Sequence, residues 1–359
     1  MRTISLMLLL AACGGGTPEN KPAEKPKTEA KVEQAAKVEA AKPAEAVPSQ
    51  HTALFKALTK AAPKPEDKAK IDLGRMLYYE NRLSLGQDIS CNSCHKLDTF
   101  GVDNQPTSTG HKGQKGGRNS PTTLNAFMHF AQFWDGRAAD VEAQAKGPVL
   151  NPVEMAMKDE KTVVATLNSI PGYKEAFTAA FPGQADPVSY DNFANAVGAF
   201  ERQLTTPGKF DKYLAGDASA LTAEEKKGLE TFIATGCVAC HAGALLGGTS
   251  YQKLGAVVPY DTKDEGRKDV TKSESDKFMF KVPSLRNVDK TGPYFHDGSV
   301  ATLEEAVMKM GKHQLGKDLA PPEVASIVTF LKALTGEVDA AFVAKPTLPP
   351  SGPTTPKPQ

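Results

Sequence analysis

Apolar residues recur at helical rather than strand spacing along most of the chain. Thr222 and Glu225 form a capping box, in which each side chain accepts from the other residue's backbone N–H, and Leu229, Phe232 and Ile233 follow at helical spacing. Ile71, Gly74, Met76 and Leu77 repeat that pattern earlier in the chain. Val163, Val164 and Leu167 mark a further amphipathic helix, as do Phe193, Val197, Phe200 and Leu204, and Val324, Ile327, Val328 and Leu331. Thr302-Leu303-Glu304-Glu305 opens another. Long apolar–polar alternation is scarce, so the expected fold is mainly α.

The ends read differently. Met1-Arg2, the apolar run Ile4 to Leu10 and Leu10-Ala11-Ala12-Cys13 read as a lipoprotein-type export signal, residues 1–12, with Cys13 the lipidated N-terminus of the mature chain. Residues 13–50 are dominated by Gly, Pro, Ala, Lys and Glu, without an aromatic residue. Such a composition cannot bury enough surface to offset chain ordering, and it predicts a disordered tether. The last segment, 341–359, is again rich in proline. No other run approaches the length of a membrane span, which leaves the lipid anchor as the expected membrane contact. With 43 basic and 42 acidic residues interspersed, nothing points to nucleic acid.

The chain has five cysteines. Those beyond Cys13 fall in two identical patterns, Cys91-Asn92-Ser93-Cys94-His95 and Cys237-Val238-Ala239-Cys240-His241. This spacing attaches c-type haem: each thiol adds to one vinyl group, and the adjacent histidine is held against the iron. A zinc site would need a second pair at ribbon spacing, and a redox dithiol a βαβ setting; neither is present. Two covalent haem c groups are therefore expected, and export suits them.

The region between the ends repeats. Pro121, Asn125, Phe133, Asp135, Gly136 and Glu142 recur as Pro283, Asn287, Phe295, Asp297, Gly298 and Glu304, each 162 positions later. Two cytochrome c-like haem domains related by internal duplication are expected, at 51–205 and 206–340. Where the first repeat has Trp134, the second has His296.

The remaining axial positions decide the chemistry. His111 lies in a glycine-dense segment, Gly110 to Gly117, that cannot be a stable helix, and it is either a ligand on a mobile loop or a surface histidine. Met308 and Met310 sit on the helix opened by Thr302. A thioether from that helix would raise the second haem's potential relative to a bis-histidine haem.

At this point the chain resembles bacterial dihaem cytochrome c peroxidases. The resemblance is carried by Gly101-Val102-Asp103, Gly110-His111, Arg118 to Thr122, Gln132 to Arg137 and Gln144 to Pro148 in the first half. In the second half it is carried by Pro293 to His296, Met310-Gly311 and Gln314 to Lys317. It implies a peroxidatic haem on His95 and a displaceable His111, and an electron-transferring haem on His241 and Met310. Glu154 becomes the acid–base group, with Gln144 beside it, and Trp134 the residue between the haems. Asn119, Thr291 and Pro293 match a calcium site built from oxygen ligands. Hydrogen peroxide is the implied substrate and a small periplasmic cytochrome c or copper protein the donor, with a homodimer usual in the family. Two other readings stay open: a MauG-type oxidase, which carries tyrosine at the position of Met310, and a dihaem electron carrier with both irons permanently six-coordinate.

Overall fold

The structure is a computed structural model, and it describes residues 46–359. The export signal, Cys13 and most of the tether lie outside the described residues. Among the described residues the helices include, in order, α1 (Lys68–Tyr78), α2 (Val141–Leu150), α3 (Glu160–Asn168), α4 (Pro171–Ala180), α5 (Tyr190–Glu201), α6 (Lys209–Leu214), α7 (Ala223–Thr235), α8 (Leu303–Leu315) and α9 (Pro321–Lys332), with shorter turns between them. Two three-residue strands, β1 (Tyr251–Lys253) and β2 (Met279–Lys281), pair antiparallel with Tyr251 opposite Lys281. The molecule is mainly helical, as the spacing predicts. The capping box at Thr222 forms, and the Thr302 side chain accepts from the Glu305 N–H.

Two helix pairs share one construction. Helix α1 packs on α5 and α7 packs on α9. Each pair crosses at a glycine: a β-carbon on Gly74 would lie 1.8 Å from Ala196 O, and one on Gly228 would lie 2.2 Å from Ser326 O. The phenylalanine one turn beyond each contact, Phe200 or Phe330, is fully buried. Around these crossings the apolar side chains gather into two cores. One holds Leu73, Leu77, Val163, Tyr173, Phe193 and Phe200; the other holds Phe210, Leu229, Phe232, Ile327 and Phe330.

The repeated segments also fold alike. Asn125 and Asn287 are both left-handed, with φ of 60° and 64°, and Phe133 and Phe295 follow with φ of 68° and 70°. Isolated bridges join Gln132 to Ala138 and Tyr294 to Val300. The two turns each press on the opposite half: a β-carbon at Gly136 would meet the Tyr251 hydroxyl, and one at Gly298 would meet Pro106. Both asparagine amides donate to one acceptor, the buried Thr206 Oγ1, at 2.8 and 2.9 Å.

Chain ends cross between the cores. Phe55, in the segment expected to begin the first haem domain, packs into the second core, and buried His51 is 2.8 Å from the Tyr213 hydroxyl. The proline-rich tail lies back on the first half. Val343 packs into its core, Arg82 donates to Pro349 O, and the Gln359 N–H donates to Leu85 O.

Candidate active site

Each Cys-x-x-Cys-His segment winds a single turn. In the first, Ser90 and Ser93 cap the turn Cys91–Cys94 and present His95 beyond it. His95 Nδ1 lies 2.9 Å from Pro121 O, and His241 Nδ1 lies 2.8 Å from Leu246 O. Burial lowers the pKa of both rings and keeps them neutral. A neutral imidazole beside a carbonyl donates through Nδ1 and leaves the Nε2 lone pair for a metal, the arrangement expected of an axial ligand. The donor set, two cysteines beside an oriented imidazole in each half, fits covalent haem.

Cys91, Cys94 and His95 line one cavity, together with Gln144 and Glu154. Cys237, Cys240 and His241 line a second, and Met310 lies in its wall. Met308, two residues away on α8, is 46 % exposed. Trp134 lines both cavities, as do Asn119, Pro121, Thr122 and Phe133, so the two share a wall. The Trp134 indole is fixed there by donating to Asn119 O at 2.9 Å.

Glu154 follows directly on α2. Its Oε1 accepts from the Asn151 amide at 2.8 Å, and Asn151 Oδ1 in turn accepts from the Val153 N–H. Burial raises the Glu154 pKa against the opposing charge of Arg137 and that hydrogen bond. Asn151 escaped sequence reasoning, although Asn-Pro is a turn signal. Glu201, also missed, lines the same cavity at the end of α5. It is 3 % exposed, and burial, assisted by the charge of Glu142, pushes its pKa up to about 8.

His111 is buried in a single turn, His111–Gly113, but it is not among the residues lining the His95 cavity. Its backbone N–H donates to Val153 O and Glu154 O instead. Gly110 makes this docking possible, since a β-carbon there would stand 2.0 Å from Val153 O.

Asn119, Thr291 and Pro293 all border the second cavity. The Asn119 amide nitrogen donates to Gln105 O and Pro106 O, at 3.0 and 3.4 Å. Its Oδ1 and the carbonyls of Thr291 and Pro293 accept no hydrogen bond from a described residue. Three oxygens without donors suit a hard cation. Among the described residues no cluster of three His, Cys, Asp or Glu side chains forms a metal site, and no helix is long and apolar enough to cross a membrane.

Two haem-attachment segments on a mainly helical chain, with cavities that share a tryptophan, define a dihaem c-type oxidoreductase. The chain belongs to the di-haem cytochrome c peroxidase family, whose model matches residues 68–219. It is 50 % identical over 300 residues to a cytochrome c551 peroxidase of Nitrosomonas europaea, covering 82 % of this chain and 88 % of that one. A cytochrome c551 peroxidase of Pseudomonas aeruginosa is 48 % identical over 325 residues, covering 88 % and 93 %. Among solved structures, a MauG-like protein associated with microbial copper homeostasis superposes with a TM-score of 0.69 at 28 % identity, covering 80 % of this chain and 97 % of that one.

Proposed function

We propose that this protein reduces hydrogen peroxide to water with electrons taken one at a time from a small periplasmic cytochrome c or cupredoxin. The observation that carries this reading is the placement of Glu154, a sheltered carboxyl with a raised pKa, in the cavity of His95, one tryptophan away from a second haem cavity. The haems, when bound, supply the electron storage and the iron at which the O–O bond is broken. His95 and His241 would hold them through neutral imidazoles. Met310 completes the second site, and its position in the cavity wall, against the exposure of Met308, supports that choice.

Glu154 takes a proton from one peroxide oxygen and returns it to the departing one, and Asn151 fixes the carboxyl for that transfer. Gln144 supplies an amide at the same cavity. Trp134 provides an aromatic path between the sites. His111, held beside Val153 and Glu154 and outside the wall of the His95 cavity, would serve as the displaceable ligand of the first site, its glycine-dense loop supplying the freedom to approach and withdraw. Asn119, Thr291 and Pro293 would hold one calcium ion, a reading supported by their three oxygens, which accept from no described residue. The two halves descend from one duplicated domain, a reading supported by the matched left-handed residues and glycine crossings. Periplasmic anchoring through Cys13 and a homodimer complete the proposal.

The test is a spectrum after reduction of the second haem alone, followed by addition of peroxide. A first haem that turns high-spin and consumes peroxide with reduced cytochrome c as donor supports the proposal. Two irons that stay low-spin and inert would make the protein an electron carrier.

A further inference from the structure

Lys281 and His129 meet at the wall of the second cavity, and the proposed reaction uses neither. Lys281 ends β2 and is 5 % exposed; its Nζ lies 2.8 Å from His129 Nδ1. An ammonium only donates, so Nδ1 is the acceptor and the imidazole proton sits on Nε2. That Nε2 is buried and has no partner among the described residues. Lys281 likewise lacks a carboxylate at salt-bridge distance among the described residues. The acidic group whose charge reaches it is Asp135, and the oxygens of Asp135 are taken by Arg118 and Arg137. Both residues line the cavity of Cys237, Cys240 and His241.

Spare ammonium N–H groups and an orphan imidazole N–H therefore border one cavity without an acceptor. Donors left so cost free energy, and a buried ammonium without a counter-charge costs more. Burial pushes Lys281 down to about 7, the expected response of a cation with no anion beside it. An acceptor-only, negatively charged group in the cavity would satisfy both residues. Haem carries two such groups, its propionate carboxylates.

We infer that Lys281 and His129 hold a propionate carboxylate of the second haem. The inference rests on the reading that the His241 cavity binds haem. The pair would hold the carboxylate-bearing edge of the porphyrin and set one buried positive charge against it. That charge favours the ferrous state and raises the potential at which the second haem accepts an electron.

The test uses the full-length protein with both haems attached, verified by mass and by the visible spectrum. In Lys281→Met the second haem's midpoint potential should shift downward, and its propionate bending mode in resonance Raman should move. Lys281→Arg, which keeps the charge and the donors, should restore both, and His129→Phe should move the Raman mode. If the second haem is attached with its usual ligation but neither quantity moves in Lys281→Met, the inference fails and the haem reading stands. A wild-type protein without a second haem would overturn the reading beneath it. Should Lys281→Met lose its second haem, Lys281→Gln, which keeps a donor and drops the charge, is read by the same two outcomes.

Discussion

The His111 N–H donates to the carbonyl of Glu154 at 2.8 Å, so the loop that carries the candidate displaceable ligand is clipped to the segment that carries the candidate acid. Movement of one is felt by the other through the hydrogen bonds from this N–H to Glu154 O and Val153 O. Loop release is thereby tied to the position of the carboxyl.

This relationship gives a first prediction. Gly110→Ala places a β-carbon 2.0 Å from Val153 O, and neither backbone can yield without moving the other. The variant should be destabilised by about 1–3 kcal/mol, the usual cost of overpacking, and should lose peroxide turnover while both haems stay attached. Denaturant midpoints and steady-state turnover check it. Wild-type values for both would show that the loop does not dock as described.

A second prediction concerns the ligand itself. His111→Gly should leave haem attachment intact and make the oxidised first haem high-spin without prior reduction, read by electron paramagnetic resonance. An unchanged low-spin signal from that haem would remove His111 from the ligand set.

The helices were legible because their determinants are local: the capping box at Thr222 and the spacing through Phe232 lie within one or two turns. The two Cys-x-x-Cys-His segments were legible for the same reason, since each histidine adjoins its cysteine. What escaped depends on distant contacts. Nothing local in Phe55 says that it joins the second core, nor in Val343 that it joins the first. Periodicity left Met308 and Met310 equivalent candidates; the resemblance at Met310-Gly311 favoured Met310, and the face of α8 that meets the cavity holds Met310 while Met308 is exposed. Lys281 and His129 are 152 residues apart, and neither carries a motif.

The methionines give a third prediction. Met310→His should lower the second haem's potential, because imidazole stabilises ferric iron more than a thioether does. Met308→His, at an exposed position, should leave it unchanged. Potentiometric titration separates them, and the reverse result would reassign the ligand.

Glu201 gives a fourth, in stability. Its folded pKa is raised from 4.5 to about 8, first by burial and then by Glu142. The folded state therefore holds the proton more tightly than the unfolded state. Its contribution is fully present below about pH 4.5 and is lost as pH rises through about 8. Glu201→Gln should flatten this dependence and, relative to wild type, gain on the order of a few kcal/mol above pH 8. Guanidinium midpoints at pH 5 and pH 9 test the sign. An equal change at both values would mean that Glu201 does not titrate between them.

The last prediction isolates the proton. Glu154→Gln keeps the shape of the side chain and a polar contact for Asn151, but it cannot exchange a proton. Turnover with peroxide should fall by roughly 10²–10⁴-fold, the range for loss of a general acid–base group, while both haems remain attached and the second still accepts electrons from the donor. Asn151→Ala should fall less far, because it releases the carboxyl from its 2.8 Å hydrogen bond without removing it. That loss of a donor to the carboxylate should also raise the Glu154 pKa further, since the Asn151 bond lowers it. Because Glu154 first takes a proton, the acidic limb of the Asn151→Ala pH–rate profile should accordingly move to higher pH. Near-normal turnover of Glu154→Gln after the same reductive treatment would assign the proton to another titratable group of the cavity or to a water chain near Gln144.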